Sequence, residues 1–88
     1  MEVKMRDLAS IPDEIYLLCM LHNIGAINPE RSLTLEEISQ WTAMNPSEAE
    51  RKLTNLMENK YVKIMTDSGS KKYFITIDGI RKVLSIYS

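Results

Sequence analysis

Little in this 88-residue sequence can staple a fold from outside its core. The single cysteine, Cys19, has no partner for an internal disulfide, and together with the one histidine, His22, it falls short of the four ligands of a structural zinc site. Glycine and proline number three each, which excludes collagen-like and low-complexity chains, and 44% hydrophobic residues exclude disorder. The longest apolar run is the seven residues from Ile15 to Leu21, against the roughly 18 that a membrane span needs. The segment MEVKMRDLAS has no apolar stretch of roughly 7 to 15 residues behind its basic residues and no small-residue cleavage site, so it does not read as a signal peptide. The expected compartment is the cytoplasm. A chain of this size buries roughly 60 to 65% of its unfolded surface, enough for one core but not for a core plus a deep cleft. No Ser/His/Asp or Cys/His set, phosphate loop or paired-carboxylate cleft can be assembled, so neither catalysis nor a cofactor is expected.

Net charge is also scarce: 11 Lys/Arg against 12 Asp/Glu leaves −1, which argues against a partner held by bulk electrostatics. The distribution says something else. Residues 1–59 carry five basic and ten acidic residues, a net −5, whereas residues 60–88 carry six basic (Lys60, Lys63, Lys71, Lys72, Arg81, Lys82) and two acidic, a net +4. The near-zero sum hides an acidic front and a basic back.

What is present is a sequence of short elements with no repeat or linker between them, so residues 1–88 read as one domain. Ser10 can cap a first helix whose first turn holds Pro12, Asp13 and Glu14. IYLLCMLHNIG follows, apolar nearly all round, with Gly25 as its stop. Asn28-Pro29 marks a connecting turn. Thr34 and Glu37 form a capping box for a second helix with Leu35, Ile38 and Trp41 or Thr42 at helical spacing, ending near Ala43. Asn45, Pro46 and Glu48 open a third helix in the same way, with Ala49, Leu53, Leu56 and Met57 as its apolar stripe and Ser47, Glu48, Arg51, Lys52 and Asn55 off it. From Tyr61 the period changes. Residues 61–66 and 71–76 are β-rich runs around the polar loop 67–70, which reads as a hairpin. Thr76 can then cap a last helix with Ile77, Ile80, Leu84 and Tyr87 along one face.

A tight pair of helices followed by a hairpin is the order of a winged helix-turn-helix. The stretch SLTLEEISQWTAMNPSEAERKLTNLMENKYV, Ser32 to Val62, resembles the helix-turn-helix of MarR-like and ArsR-like transcriptional regulators. Thr34 stands at the second-helix cap, Ile38 and Met44 around the turn, Ala49 and Leu53 inside the third helix, and Leu56 and Val62 lead into the wing. Tyr73-Phe74-Ile75-Thr76 with Gly79 is similar to the second wing strand and the final helix. The likeness covers residues 11–88 and implies a mostly α fold with a small β-hairpin (α+β): helix-turn-helix 34–59, wing 61–76, C-terminal helix 77–87. Two positions depart from it. Ala43 replaces the usual turn glycine, and Lys60 stands where a glycine closes the third helix, a role that Asn59 is expected to take over through a left-handed conformation.

The resemblance implies binding to double-stranded DNA, sequence-specific or architectural, with helix 46–59 in the major groove and the wing on the backbone. In that frame Arg51 can pair with guanine O6/N7 and Asn55 with adenine N6/N7. Ser47 and Lys52 can hold phosphates, as can Lys63, Ser68, Ser70, Lys71 and Lys72 of the wing. Glu48, Glu50 and Glu58 oppose this, and each either accepts from cytosine N4 or faces away from DNA. Blander readings stand beside these. The third-helix charges can be a solvated face and the hairpin lysines edge protection. Trp41 reads as a core or interface residue, and Cys19, His22 and the methionines as packing. The apolar first and last helices suggest a homodimer. The alternative function is a winged-helix protein-interaction module that touches no nucleic acid.

Overall fold

The computed structural model describes residues 12–86. The expected Ser10 cap and the expected position of Tyr87 lie outside the described residues.

Helix α1 (Asp13–Asn23) begins two residues later than a cap at Ser10 implies, with Pro12 at the cap position and Asp13 and Glu14 in the first turn. Ile15, Leu17, Leu18, Cys19 and Leu21 are all buried. So many apolar residues fit on one short helix because α3, α4 and β3, defined below, all pack against it. Its end is set by Gly25, at φ +87°. The Gly25 N–H donates to His22 O and the Ala26 N–H to Leu21 O, each at 3.1 Å, a Schellman pair that satisfies two carbonyls the helix leaves free. Asn28 then caps a 3₁₀ turn, Pro29–Arg31, by accepting from the Arg31 N–H at 3.0 Å.

A short strand follows, β1 (Leu33–Thr34), which pairs antiparallel with β3 (Ser70–Ile75). The expected two-stranded hairpin is therefore a three-stranded sheet of order β1-β3-β2, with β2 at Val62–Asp67. Two residues are too few to show a period of two, and Thr34 announces itself in the sequence as a cap. It does both. Its hydroxyl accepts from the Glu37 N–H at 3.2 Å, and the Glu37 carboxylate accepts from the Thr34 N–H at 2.9 Å, which closes the capping box of α2 (Leu35–Thr42). Ile38 and Thr42 face inward, while Trp41 is 64% exposed, so of its two expected places, core or interface, the structure excludes the core. Ala43 ends α2 in the left-handed region at φ 60°, standing in for the glycine.

Helix α3 (Pro46–Glu58) is capped by Asn45, whose side chain accepts from the Glu48 N–H at 2.8 Å. The reciprocal half of this second box does not form, because the Glu48 carboxylate binds Lys52 instead. Ala49, Leu53 and Leu56 are fully buried, with Met44 and Met57 half-buried against the core. At the far end the expected substitution is reversed. Lys60 itself takes the left-handed conformation (φ 65°), and Asn59 stays at φ −87° with its amide donating to Asn55 O at 3.0 Å.

The β2–β3 hairpin closes through a two-residue turn, shorter than the four-residue loop expected, because Asp67 and Ser70 still pair. Ser68 and Gly69 both have positive φ, 53° and 84°, the type I′ geometry whose twist matches that of the strands. In helix α4 (Ile77–Ile86) the predicted apolar face is also rotated: Gly79 and Val83 are buried, whereas Ile77 and Leu84 are 70% and 53% exposed. Gly79 explains the rotation. It has no side chain to register in a periodicity reading, yet a Cβ on it would collide with Tyr61 O and Ile75 Cγ2, so the helix lies backbone-down at that point. Gly79→Ala is expected to lower unfolding stability by about 1–3 kcal/mol in urea titration, the cost of overpacking against atoms that cannot move aside; unchanged stability would contradict this packing.

Candidate nucleic-acid interface

The surface of α3 follows from its pitch. With Ala49, Leu53 and Leu56 inward, Ser47, Arg51, Thr54 and Glu58 fall at helical spacing on the opposite side, and all four are exposed. Arg51 is exposed and forms no ion pair with another described residue. Asn55 lies on one flank, half-buried, and Glu50 on the other, exposed. Thr54 and Glu50 did not enter the predicted site. Thr54 was legible from its spacing to Ser47 and Arg51, whereas the surroundings of Glu50 depend on the sheet.

Lys52 departs from expectation. It is 4% exposed, not on the outer face, and its ammonium lies 3.0 Å from Glu48 and 3.7 Å from Asp13 of α1. Its aliphatic stem fills the seam between α3 and α1 while its charge is held by two carboxylates that keep contact with water. The structure thus separates Lys52 from Ser47 and Arg51.

Strand alternation divides the hairpin set. The register pairs Lys63 with Phe74 and Met65 with Lys72, which places Lys63 and Lys72 on one face of the sheet. Lys71 lies on the other face, with buried Tyr73 and Ile75, toward the helices. Lys72 lies 3.7 Å from Asp67 and is partly neutralised by it. Ser68 sits in the turn and Ser70 beside it, both exposed.

Between these elements runs an open groove of about 280 Å³, walled by Thr34, Leu35 and Glu36 at the start of α2, Glu50 of α3, and Ser70, Lys71 and Tyr73 of β3. Tyr73 forms its floor at 3% exposure. Burial raises the pKa of its phenol above the ordinary value, and the negative charges of Glu50 and Glu36 raise it further, so the hydroxyl stays protonated. Among the described residues no group of three or more His, Cys, Asp or Glu is arranged to hold a metal, and no helix is long and apolar enough to cross a membrane.

A helix, a short strand, two helices joined by a tight turn, a two-stranded wing completing the sheet, and a closing helix make this a winged helix-turn-helix fold. No family model and no curated protein matches the sequence. The fold is similar to that of the DNA-binding TubR fragment from Clostridium botulinum, known from its solution structure, with a TM-score of 0.76 and 28% identity over 88% of this chain and 98% of that one.

The assignment of Lys52 to the seam has a direct consequence for stability. In Lys52→Met the stem is replaced by a side chain that still fills the space, and Asp13 and Glu48, whose side chains are 82% and 40% exposed, regain water. Urea denaturation is expected to place this variant within about 1 kcal/mol of the parent. A loss of several kcal/mol would mean that the ion pairs, not the stem, hold the seam.

Proposed function

We propose that this chain binds double-stranded DNA as a homodimeric transcriptional regulator, with α3 in the major groove and the wing along the backbone. The observation that carries this reading is the likeness to a DNA-binding fragment along nearly the whole chain. The exposed stripe on α3 supplies fitting chemistry. Arg51 presents a planar fork suited to guanine O6/N7, Asn55 an amide suited to adenine, and Ser47 a hydroxyl next to the free amides of the helix start. On the wing, Lys71, Ser70, Ser68 and Lys63 are the phosphate contacts of this reading, Lys72 contributes less, and Lys52 drops out because its ammonium is buried. Two copies would place two α3 helices in successive major grooves about 34–36 Å apart, and Ile77, 70% exposed, offers apolar surface for the pairing.

One observation favours a second reading. Trp41, 64% exposed on α2, is the type of side chain that anchors protein interfaces, and docking on a protein partner without nucleic acid would use it.

Duplex binding measured across a salt series separates the two. DNA binding predicts an affinity that falls steeply with salt, with the slope reduced by about one unit in Lys71→Ala and by less in Lys72→Ala. Absence of binding at low salt would exclude the DNA reading and leave the protein-docking one. Arg51→Ala is expected to cost about 1–3 kcal/mol on target sequences that carry the matching guanine and little on others. A uniform loss across sequences would make Arg51 a backbone contact.

A further inference from the structure

We propose that the free edge of β2 pairs antiparallel with β2 of a second copy of this chain, joining two wings into one sheet. The contact leaves the Ile77 surface of α4 untouched and does not rest on the DNA reading. The sheet order β1-β3-β2 makes β2 an edge strand, and the turn decides which of its residues bond outward. Asp67 and Ser70 close a two-residue turn and exchange both backbone bonds, and alternation along the ladder gives Met65–Lys72 and Lys63–Phe74 the same role. Val62, Ile64 and Thr66 therefore aim their N–H and C=O groups away from β3. The same alternation sends the Ile75 N–H off the opposite side of the hairpin, where it reaches Ala26 O at 2.8 Å. Among the described residues no backbone bond from another element reaches Val62, Ile64 or Thr66, and Lys63, Ile64, Thr66 and Asp67 are exposed.

Edge strands are commonly guarded against such pairing by a proline, a bulge or an inward-pointing charge. Strand β2 has none of these: it pairs residue for residue with β3 along its whole length, and its inward positions are Val62, Ile64 and Thr66. Its two charges, Lys63 and Asp67, are of opposite sign and lie on the same outer face. They guard the edge only where like meets like. A two-fold axis at Met65 sets Lys63 opposite the partner's Asp67 and Asp67 opposite the partner's Lys63, while Ile64 and the partner's Thr66 exchange both backbone bonds. Neighbouring registers lose this match. An axis at Ile64 sets Lys63 against Met65, and an axis at Lys63 sets that lysine against itself. The charge pattern thus selects a second copy, in one register, from the strands that could add to this edge. Both charges are available for it. Lys63 forms no ion pair with another described residue, and Asp67, although 3.7 Å from Lys72, keeps its side chain 54% exposed. A pairing this short belongs to the weak, reversible class of contacts.

Disulfide trapping without DNA reads the register. Residues opposite each other in a non-hydrogen-bonded pair stand about 4.5 Å apart at Cα, within disulfide reach, and Met65 is the residue that meets its own copy. Met65→Cys is expected to form linked dimers at least about fivefold faster than Lys63→Cys, Ile64→Cys or Thr66→Cys; Cys19 is buried and common to all. Fastest linking at Ile64→Cys, or equal rates at every position, would overturn the pairing. In the Met65→Cys chain, Lys63→Asp alone and Asp67→Lys alone should each slow linking about fivefold, since like charges then face each other. Mixing these two variants restores opposite charges at every position and should restore the rate as a mixed dimer. A mixture no faster than its components would overturn the charge-matched register. Amide spectra verify the fold of each variant. In the unsubstituted chain, raising the concentration is expected to shift the amide resonances of Ile64 and Thr66, and shifts confined to α4 would overturn the proposal.

Discussion

The whole arrangement hangs on a small knot of hydrogen bonds around Thr76. Its hydroxyl donates to Lys60 O at 2.8 Å and accepts from the Gly79 N–H at 3.0 Å, while its own N–H donates to Tyr61 O at 2.9 Å. The Tyr61 N–H in turn bonds Leu56 O at 2.9 Å. The last turn of α3, the first residue of the wing, the exit from β3 and the first turn of α4 therefore meet at one point. One residue earlier, the Ile75 N–H reaches Ala26 O at 2.8 Å and ties the same strand to the end of α1. Because both ends of the hairpin are anchored in backbone bonds, the angle between α3 and the wing is set by the scaffold and not by the exposed side chains that would meet a ligand. Gly79 belongs to the knot for steric reasons: only a residue without a Cβ lets α4 come down on Tyr61 O.

Seen along its length, α3 is three surfaces in one helix. Ala49, Leu53 and Leu56 supply the core, Glu48 and Lys52 join it to α1, and Ser47, Arg51, Thr54 and Glu58 remain for solvent. The charge count treats Arg51 and Lys52 alike, yet packing leaves one exposed with no ion pair to another described residue and makes the other part of a seam. The acidic front and basic back of the chain undergo a similar correction, since Glu36 and Glu50 end beside the wing, facing Lys71 across the groove.

Most of the fold was legible because its signals are local. Capping residues Thr34, Asn45 and Thr76, the stop at Gly25 and the change from a helical to a strand period each act within a few residues, and each is where the structure uses it. What could not be read depends on distance. The partnership of Leu33–Thr34 with β3 spans about half the chain and leaves no periodicity behind. The rotation of α4 is dictated by the absence of a side chain at Gly79. Lys60 rather than Asn59 turns left-handed because the Schellman bonds at Lys60 and Tyr61 fix which residue follows the last helical turn, and that position overrides intrinsic preference. The candidate site was readable as a list of polar residues off an apolar stripe; burial of Lys52 and the division of the wing lysines between two faces required the partners in space.

The two-residue turn at Ser68–Gly69 gives the wing a parity. Which lysine looks toward α3 is decided by an odd or even count from the tip, so Lys71 and Lys72 owe their different surroundings to one step along the strand and to nothing in their own chemistry. A hairpin lengthened or shortened by one residue on each strand would exchange inner and outer positions at the tip, but it would also bring a non-hydrogen-bonded pair to the closure, which a two-residue turn cannot bridge, so the turn itself fixes the parity. The basic character of this wing is therefore inherited from its turn as much as from its composition.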